Sequence, residues 1–340
     1  MGGNLKSVAQ AAGVSLATAS RVLSGSTYSV SAELRERVLA VAQELDYVPN
    51  AQARALITGN TKTVGMLVGD VGDPYFHAMI HGVHEVAAEE SCLVTVMSTD
   101  RDPEVELEAF RQLQSHGTSI VIVAGSGLDD PDYRTGLSAR IRSLSSAGRT
   151  VLMGRHDLDP DVVAIQVGAD NVDAGRVLGR HLAELGHRRV GVLSGSSTVT
   201  STTDRIEGLA EGLGVRPEVV EVVQTRDGGY AGTDTLLRRS PDLTAVVGTA
   251  DQMAIGALSY CADHDIAVPG DISIAGCNDI WVGRDLTPGL TTVHMPLREM
   301  GAAALRLALG SELGTRQSFP VQLVVRASTG PVAEEVPPGQ

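Results

Sequence analysis

The chain has 340 residues, 43% of them hydrophobic and 20% charged, which is the composition of a globular protein of two or three domains and not of a disordered chain. Its 27 basic and 41 acidic side chains give a formal net charge of −14. The sequence contains neither an apolar leader nor an apolar run long enough to span a membrane, so we expect a cytoplasmic protein. Three widely spaced cysteines predict small buried core residues and no disulfide framework.

The charge is unevenly distributed along the chain. Residues 1–62 carry six basic and four acidic side chains, a net charge of +2, so the remainder carries −16. A basic head on an acidic body is typical of a protein in which only the head contacts phosphates.

Two short helices are predicted at the start of this head. Asn4 can cap a helix over 5–12, and Gly13 can end it in a left-handed turn. Ser15 can cap a second helix, from Leu16 to about residue 24. Apolar residues at helical spacing predict a small shared core made of Val8, Val14, Ala19, Val22 and Leu23.

The other face of the second helix suits contact with DNA. It presents Leu16, Ala17, Ser20 and Arg21, and Arg21 is the candidate for a bidentate contact to guanine. The hydroxyl side chains on this stretch (Ser15, Thr18 and Ser20) suit phosphate contacts, which position the helix without reading sequence. Since short helical hairpins are widespread, this spacing alone leaves an ordinary hairpin open as well as a helix-turn-helix.

The residues that follow favour the DNA-binding alternative. Ser31 can cap a third amphipathic helix over 32–46, which Pro49 ends. Asn50 can then cap a short helix over 51–56. A helix of this length is marginal on its own, so we expect it to order only on DNA beside the same segment of a partner chain.

In this order and spacing the head resembles the LacI/GalR family of bacterial transcriptional regulators. The resemblance rests on Val8-Ala9, Ala12-Gly13-Val14-Ser15, Thr18-Ala19-Ser20-Arg21-Val22-Leu23, Asp46-Tyr47-Val48-Pro49-Asn50 and Ala53-Arg54-Ala55-Leu56. It implies that Leu16, Ala17 and Arg21 read the major groove, and that Leu56 of a hinge helix wedges into the minor groove. It also implies a homodimer on a pseudo-palindromic operator, although Ser24 stands where the family usually has Asn. The expected DNA-binding residues are Asn4, Ser15, Leu16, Ala17, Thr18, Ser20, Arg21, Ser24, Asn50, Ala53, Arg54 and Leu56.

From residue 63 onwards the sequence alternates between short apolar strands and helices, which predicts a doubly wound α/β body. Expected strands lie at 64–68, 93–97, 119–124, 150–153, 189–193, 245–248 and 273–276. Expected helices lie near 77–90, 104–116, 173–185, 204–213, 231–239 and 253–264.

The family resemblance continues to about Arg326 and implies two Rossmann-like subdomains similar to periplasmic sugar-binding proteins. The chain is then expected to cross between them near 167–169, 291–294 and 320–323. The expected limits are a helix-turn-helix domain at 1–49, a hinge and linker at 50–62, one subdomain at 63–167 and 295–322, the other at 168–294 and 323–332, and a flexible tail at 333–340.

A small-molecule effector is expected in the cleft between these subdomains. The residues that the resemblance places there are Asp73, Tyr75, Phe76, Arg155, Ser201, Arg205, Asp251, Asn278, Trp281 and Met295. Gly154, Ala250, Asn278 and Met295 replace carboxylates and amides that accept hydrogen bonds from sugar hydroxyls in the family. With Arg155 and His156 nearby, we hypothesise an anionic or partly apolar effector, while a sugar held by other groups and an empty pocket stay open. Trp281 lies either at the cleft mouth or in a subdomain core.

Other classes of protein are less well supported by the sequence. A solute-binding protein would not carry this head, and an α/β enzyme would need a nucleophile elbow, a dinucleotide glycine motif or a P-loop lysine, none of which is present. His77, His81 and His84 share one helix face, but no spacing fixes an acidic partner, so we expect no metal and no cofactor. Since the tail lacks leucine heptads, we expect a dimer and no coiled-coil tetramer.

Overall fold

The computed structural model describes residues 4–23, 30–47 and 63–332, which belong to two compact units that divide at residue 62. In the described residues of the first unit there are three helices: α1 (Leu5–Ala11), α2 (Leu16–Leu23) and α3 (Ala32–Glu44). Each begins at the predicted residue, and each ends within two residues of the predicted end.

A small apolar core holds the three helices together. Buried in it are Val8, Ala9, Ala12, Ala19, Val22, Val38 and Ala42, spaced so that each helix contributes one face. Between α1 and α2 the chain turns at Gly13, whose φ of +66° lies in the left-handed region that favours glycine. The apolar periodicity and this turn together produce the predicted helix-turn-helix.

The second unit contains the α/β body. Its strands are β1 (Thr63–Val68), β2 (Leu93–Ser98), β3 (Ile120–Val123), β4 (Arg149–Met153), β5 (Ile165–Ala169), β6 (Val190–Ser194), β7 (Glu218–Glu221), β8 (Ala245–Gly248), β9 (Ser273–Ala275), β10 (Thr292–His294), β11 (Arg316–Phe319) and β12 (Gln322–Val324). Its helices are α4 (Pro74–Glu89), α5 (Pro103–Ser115), α6 (Pro131–Ser145), α7 (Asn171–Glu184), α8 (Thr200–Leu213), α9 (Arg226–Arg239), α10 (Asp251–Asp263), α11 (Val282–Asp285) and α12 (Leu297–Gly310).

Two parallel sheets organise these elements. The first has the order β11-β5-β4-β3-β1-β2, with α4 and α12 on one face and α5 and α6 on the other. Along β1, Met66 packs toward α4 and α12 while Leu67 packs toward α5 and α6, as expected for a strand buried on both faces.

The second sheet has the order β7-β6-β8-β9. Helices α7 and α8 cover one face, against Val192, and α9 and α10 cover the other, against Leu193. This arrangement confirms the predicted class, an all-helical head followed by a doubly wound α/β body.

Three segments carry the chain between the two sheets. After β5 of the first sheet, the chain enters α7 of the second. Strand β10 leads back to α12 on the first sheet, and β12 returns the chain to the second. Strands β10 and β12 pair antiparallel, Val293 opposite Leu323, so two of the connections lie side by side.

Several elements of the body are absent from the sequence prediction. Strand β5 pairs with β4 and β11 along its whole length, whereas the sequence suggested only a crossing over its last three residues. The prediction also omitted β7, β11, α6, α11 and α12. Helix α4 begins three residues before the expected start, because the Asp73 side chain accepts the Tyr75 amide hydrogen and Pro74 occupies the first turn.

Glycine allows helices α7 and α8 to cross closely. A Cβ atom added at Gly208 would lie 1.9 Å from the Val172 carbonyl oxygen, a distance that the two helices could relieve only by moving apart. At the end of α12, by contrast, Gly310 has no atom within 4 Å of the corresponding position.

We therefore expect Gly208→Ala to lower the free energy of unfolding of the body by about 2–3 kcal/mol, because the added methyl group forces the packed helices apart. Urea unfolding followed by circular dichroism measures this loss. Gly310→Ala is the matched control and should leave stability unchanged or raise it by about 0.5 kcal/mol. Equal stability of the two variants would show that the α7–α8 crossing has room for a side chain.

A buried carboxyl group joins helix α10 to the crossing strand β10. Asp251 Oδ1 accepts a hydrogen bond from the Thr292 hydroxyl at 2.6 Å, and Oδ2 accepts one from the Ile280 amide at 2.8 Å. Burial raises the pKa of Asp251 to about 6, while these hydrogen bonds oppose the shift. The carboxylate thus costs stability at neutral pH but braces the connection between the sheets.

The stability contribution of Asp251 should depend on pH. Because its folded pKa of about 6 exceeds the ordinary value of 3.8, the folded state loses stability as pH rises between these values. Asp251→Asn, whose amide can donate to Thr292 and accept from Ile280, removes that titration. Between pH 4.5 and 7.5 the unfolding free energy of the wild type should fall by about 2 kcal/mol relative to Asp251→Asn. If the unfolding free energies of the wild type and Asp251→Asn, measured with urea, changed equally across this pH range, the expected titration would be contradicted.

Candidate functional site

The exposed face of α2 is the first candidate site. The Asn4 side chain accepts the Ser7 amide hydrogen at 2.9 Å and so caps α1, and the Ser15 hydroxyl accepts the Thr18 amide hydrogen at 3.0 Å at the start of α2. These caps fix where both helices begin, so the turn between them has a defined geometry.

Leu16, Ala17 and Arg21 lie on the outer face of α2, and Leu16 is 53% exposed although it is a large apolar residue. Thr18 and Ser20 are half-buried at the edges of this face, while Ala19 and Val22 face the core. A helix that presents a guanidinium and small apolar groups in this way has the shape and donors to read base edges in a major groove.

Five of the residues expected to contact DNA lie outside the described part of the chain. They are Ser24, Asn50, Ala53, Arg54 and Leu56. Their roles stay predictions.

The second candidate site is a cavity between the two sheets, with an empty volume of about 690 Å³ that includes its opening to solvent. Its walls come from segments that follow the carboxyl ends of the parallel strands, as expected for ligand sites in open α/β sheets. The polar and aromatic groups that line it are Tyr75, Phe76, Thr99, Arg101, Asp102, Glu106, Ser126, Tyr133, Ser201, Arg205, Gln224 and Asn278.

Arg205 on α8 occupies the centre of the second subdomain's wall and is 8% exposed. Its Nε donates to the Asn171 side-chain oxygen at 2.9 Å, and its Nη1 donates to the Thr249 carbonyl oxygen at 2.5 Å. The Nη2 atom lies 3.3 Å from the Met295 sulfur, which is only a weak acceptor. Three elements therefore hold the guanidinium in one orientation, and no carboxylate among the described residues forms an ion pair with it.

Asn278 follows β9 and lies beside Arg205 in the same wall. Its side chain is 4% exposed, yet its Oδ1 has no hydrogen-bond partner among the described residues. Its φ of +119° is unusual for a residue other than glycine, and the backbone is held there by a hydrogen bond from its amide to the Val293 carbonyl at 2.9 Å. A buried acceptor without a donor is costly, so the site is suited to a ligand that donates a hydrogen bond there.

Phe76 and Arg101 lie on the opposite wall, and the buried Asp73 lies behind them. The Arg101 guanidinium donates to Asp73 Oδ2 at 2.8 Å and lies 5.5 Å from the centre of the Phe76 ring. Tyr75 packs edge-on against Phe76, and burial raises the pKa of its phenol. The predicted aromatic wall is therefore present, and Asp73 supports it by capping α4 and holding Arg101.

Five predicted site residues do not line this cavity: Asp73, described above, and four others. Arg155 is half-exposed and forms an ion pair with Asp204 at 2.8 Å. Asp251 is engaged in the brace to β10. Met295 lies behind Arg205, and Trp281 is 57% exposed in an outer groove beside His294 and Arg284.

The positive field that the sequence suggested near Arg155 and His156 is absent from the cavity. The Arg155 guanidinium forms an ion pair with Asp204 on the second subdomain's α8, and this pairing neutralises its charge. His156 is buried, and this burial lowers its pKa to about 4, so the imidazole is neutral at pH 7. The charge in this region therefore does not favour an anion.

A backbone contact joins the two subdomains at one side of the cavity. Leu128 and Val199, which both line it, form an antiparallel β-bridge, and the Asp129 amide donates to the Thr198 carbonyl at 2.7 Å. The Arg155–Asp204 ion pair spans the same gap. We refer to these contacts as the latch.

The sequence reasoning missed the cavity residues Arg101, Glu106, Ser126, Tyr133 and Gln224. Arg101 and Ser126 lie three residues after the ends of β2 and β3, so their position near carboxyl ends was a usable signal. Glu106 and Tyr133 lie on helices and meet only through the tertiary packing of α5 against α6.

In the described residues, none of the helices is long and apolar enough to cross a membrane.

Two family models match separate parts of the chain. Residues 4–50 match the bacterial regulatory proteins of the lacI family, and residues 180–329 match the periplasmic binding protein-like domain. Among solved structures, the lac repressor dimer bound to operator and an anti-inducer covers 97% of this chain and 100% of its own, with a TM-score of 0.81 and 24% identity, which is a likeness of fold. The complex of the regulator CelR with cellobiose covers 96% and 99%, with a TM-score of 0.70 and 27% identity.

One bacterial regulator is similar in sequence to this chain over almost its whole length. The HTH-type transcriptional regulator GalR of Escherichia coli is 34% identical over 311 residues, 90% of this chain and 88% of GalR. Because this similarity runs through both the helical head and the α/β body, the chain belongs to the LacI family of bacterial transcriptional regulators.

Proposed function

We propose that this protein is a transcriptional repressor that binds a pseudo-palindromic operator as a homodimer and is controlled by a small molecule in the cleft. The observation that carries the proposal is the outer face of α2, where Leu16, Ala17 and Arg21 are exposed together. Leu16 is 53% exposed, so this face of α2 is left accessible while Ala19 and Val22 on the other face fill the domain core.

In this proposal α2 enters the major groove. Arg21 donates two hydrogen bonds to guanine, while Leu16 and Ala17 contact thymine methyl groups or sense groove shape. Asn4, Ser15, Thr18 and Ser20 lie near the helix starts, where phosphate contacts set the register. The basic head and acidic body keep these contacts restricted to the head.

The segment over 50–56 serves as the minor-groove element in this proposal. Leu56 wedges between base pairs and kinks the operator, and Asn50, Ala53, Arg54 and Ser24 make the accompanying backbone contacts. Paired hinge segments of a dimer order together on DNA, so a change in the body that separates them weakens operator binding.

Effector control requires that the ligand bind two arrangements of the body with different affinity. The cavity is suited to this because its walls belong to different sheets: Phe76 and Arg101 to one, Arg205 and Asn278 to the other. The sheets are joined by the short strands β10 and β12 and by the latch, so a ligand between them contacts both subdomains at once.

The proposed limits of the parts follow the sequence prediction: a DNA-binding domain at 1–49, a hinge and linker at 50–62 and two discontinuous subdomains, with the tail beyond 332. The proposed place of action is the cytoplasm at the nucleoid. We propose no enzymatic activity, since the cavity groups have the geometry of ligand recognition and not of an assembled nucleophile and base. A solute-binding role is the alternative, and it predicts ligand binding without any selection of DNA sequences.

The test is selection of bound sequences from a random duplex library at a fixed salt concentration. The wild type should enrich an inverted repeat. Arg21→Ala should lose the preferred base that Arg21 contacts, weakening binding to the selected site by about 1–3 kcal/mol. Leu56→Ala should bind the same sequence more weakly, because the kink is lost. Fluorescence anisotropy with the selected duplex gives both affinities.

The matched control is Arg37→Ala, which removes the same charge from the exposed surface of α3 and should retain the base preference. If Arg21→Ala enriched the same motif as the wild type at every position, the proposed role of α2 would be contradicted. Failure of the wild type to enrich any motif, with and without a metabolite mixture, would contradict the repressor assignment itself.

A further inference from the structure

Three histidines follow one face of helix α4. His77, His81 and His84 stand at positions i, i+4 and i+7, and all three are exposed. The opposite face of the helix carries Met79 and Val83 into the core. The histidines do not line the cavity between the sheets. Any ligand that they bind therefore lies outside the cleft.

His77 and His81 are about one helical turn apart, and their rings approach each other. The ring centres are 6.5 Å apart, with an angle of 64° between the ring planes. Two histidines at i and i+4 on one helix face are a recurrent metal-chelating pair. With an ion about 2.1 Å from each nitrogen and a tetrahedral angle at the ion, the ring centres would lie roughly 5 Å apart. Because both side chains are exposed, small side-chain rotations can close this difference.

A carboxylate beside the pair orients one of its rings. Glu85 lies one turn further along α4, and its Oε1 is 3.6 Å from His81 Nδ1. Arg298 of α12 holds Glu85, since its Nε donates to Oε2 at 3.0 Å. Histidines that bind metals usually direct their second ring nitrogen to a carboxylate, which fixes the tautomer. Glu85 therefore leaves Nε2 of His81 for an ion, and it neutralises an arginine that would otherwise repel one.

The donor set determines which ions fit. The sequence alone predicts no metal on this helix, because spacing fixes no acidic partner, whereas the structure places Glu85 beside His81. In the described part of the chain, no group of three or more His, Cys, Asp or Glu side chains is arranged to hold an ion. The pair thus supplies two nitrogen ligands, and water fills the other positions. Nitrogen ligands suit Ni²⁺, Cu²⁺ and Zn²⁺, whereas Mg²⁺ and Mn²⁺ prefer oxygen.

We propose that His77 and His81 form a surface site for a divalent transition-metal ion, with Glu85 as the residue that positions His81. The site is separate from the cavity and requires neither an effector nor DNA. The ion bridges two successive turns of α4 in the folded chain, so its binding also stabilises the body.

The test is calorimetric titration of the full chain, first stripped of metal with a chelator, with Ni²⁺, Mn²⁺ and Mg²⁺. The wild type should bind Ni²⁺ more tightly than Mn²⁺ or Mg²⁺. His77→Gln and His81→Gln should each weaken Ni²⁺ binding by at least about 10-fold, since even the loss of a ligand's hydrogen-bond partner costs about 10- to 100-fold. His84→Gln is the matched control, because it removes an exposed imidazole from the same face and leaves the pair intact.

Electron paramagnetic resonance of the Cu²⁺ complex identifies the ligands directly. The wild type should show hyperfine coupling to two imidazole nitrogens, and either pair variant should show coupling to one. Since the three histidines are exposed, each variant should melt at the wild-type temperature when metal is absent.

The positioning role of Glu85 has its own test. Glu85→Gln should bind Ni²⁺ about 10-fold more weakly while both nitrogen couplings remain, because His81 loses its carboxylate partner. This variant also leaves the Arg298 charge unpaired. The double variant Glu85→Gln/Arg298→Gln removes that charge and should stay equally weak. Recovery of wild-type affinity in the double variant would show that Glu85 acts only by neutralising Arg298.

Three results would overturn the metal site itself. Binding of Mg²⁺ or Mn²⁺ as tightly as Ni²⁺ would assign the ion to surface carboxylates. Equal loss of Ni²⁺ affinity in His84→Gln and His77→Gln would contradict the assigned pair. Wild-type affinity in both His77→Gln and His81→Gln would place the ion elsewhere on the chain.

Discussion

The buried guanidinium of Arg205 is the constraint on which the cleft depends. It bonds Asn171 at the start of α7, the carbonyl of Thr249 after β8 and the sulfur of Met295 after β10, so three elements take their relative positions from one cation. Because no carboxylate among the described residues neutralises it, its burial is costly unless oxygen atoms surround it. Since Arg205 lines the cavity, a ligand with oxygen acceptors would reduce that cost. The same residue thus organises the second subdomain's wall and presents a donor to the cavity.

Few elements join the two sheets. Strands β10 and β12 are three residues each and pair side by side. Within the second subdomain, by contrast, α7 and α8 pack so closely that a Cβ atom at Gly208 would meet the Val172 carbonyl oxygen. The Asp251 brace links α10 to β10, and the latch adds a further link between the subdomains, so the proposed effector response would have to act through these few contacts.

The head and the class of the body were predictable from sequence because both depend on local periodicity. Val8, Ala19 and Val22 repeat at helical spacing, and runs such as 64–68 are apolar throughout. Strand β5 was harder to identify, since Gln166 and Gly168 interrupt its apolar pattern. Arg205, Tyr75 and Asn278 were placed at the cleft by resemblance, and the cavity does contain them. Arg155 and Trp281 were placed there too but lie elsewhere, because an ion pair to Asp204 and an outer groove hold them. No local pattern could reveal that Glu106 meets Tyr133, since helix packing alone brings them together.

The latch also makes the cavity one-sided. Leu128 and Val199 form both the wall of the cavity and the bridge between the subdomains, so on this side the molecule cannot open to solvent without breaking backbone hydrogen bonds. The cavity does open to solvent elsewhere, so a small molecule can enter or leave while the latch stays intact. A substitution that weakens the latch would therefore be felt as a change in how the two subdomains are held together before it is felt as a change in access to the cavity.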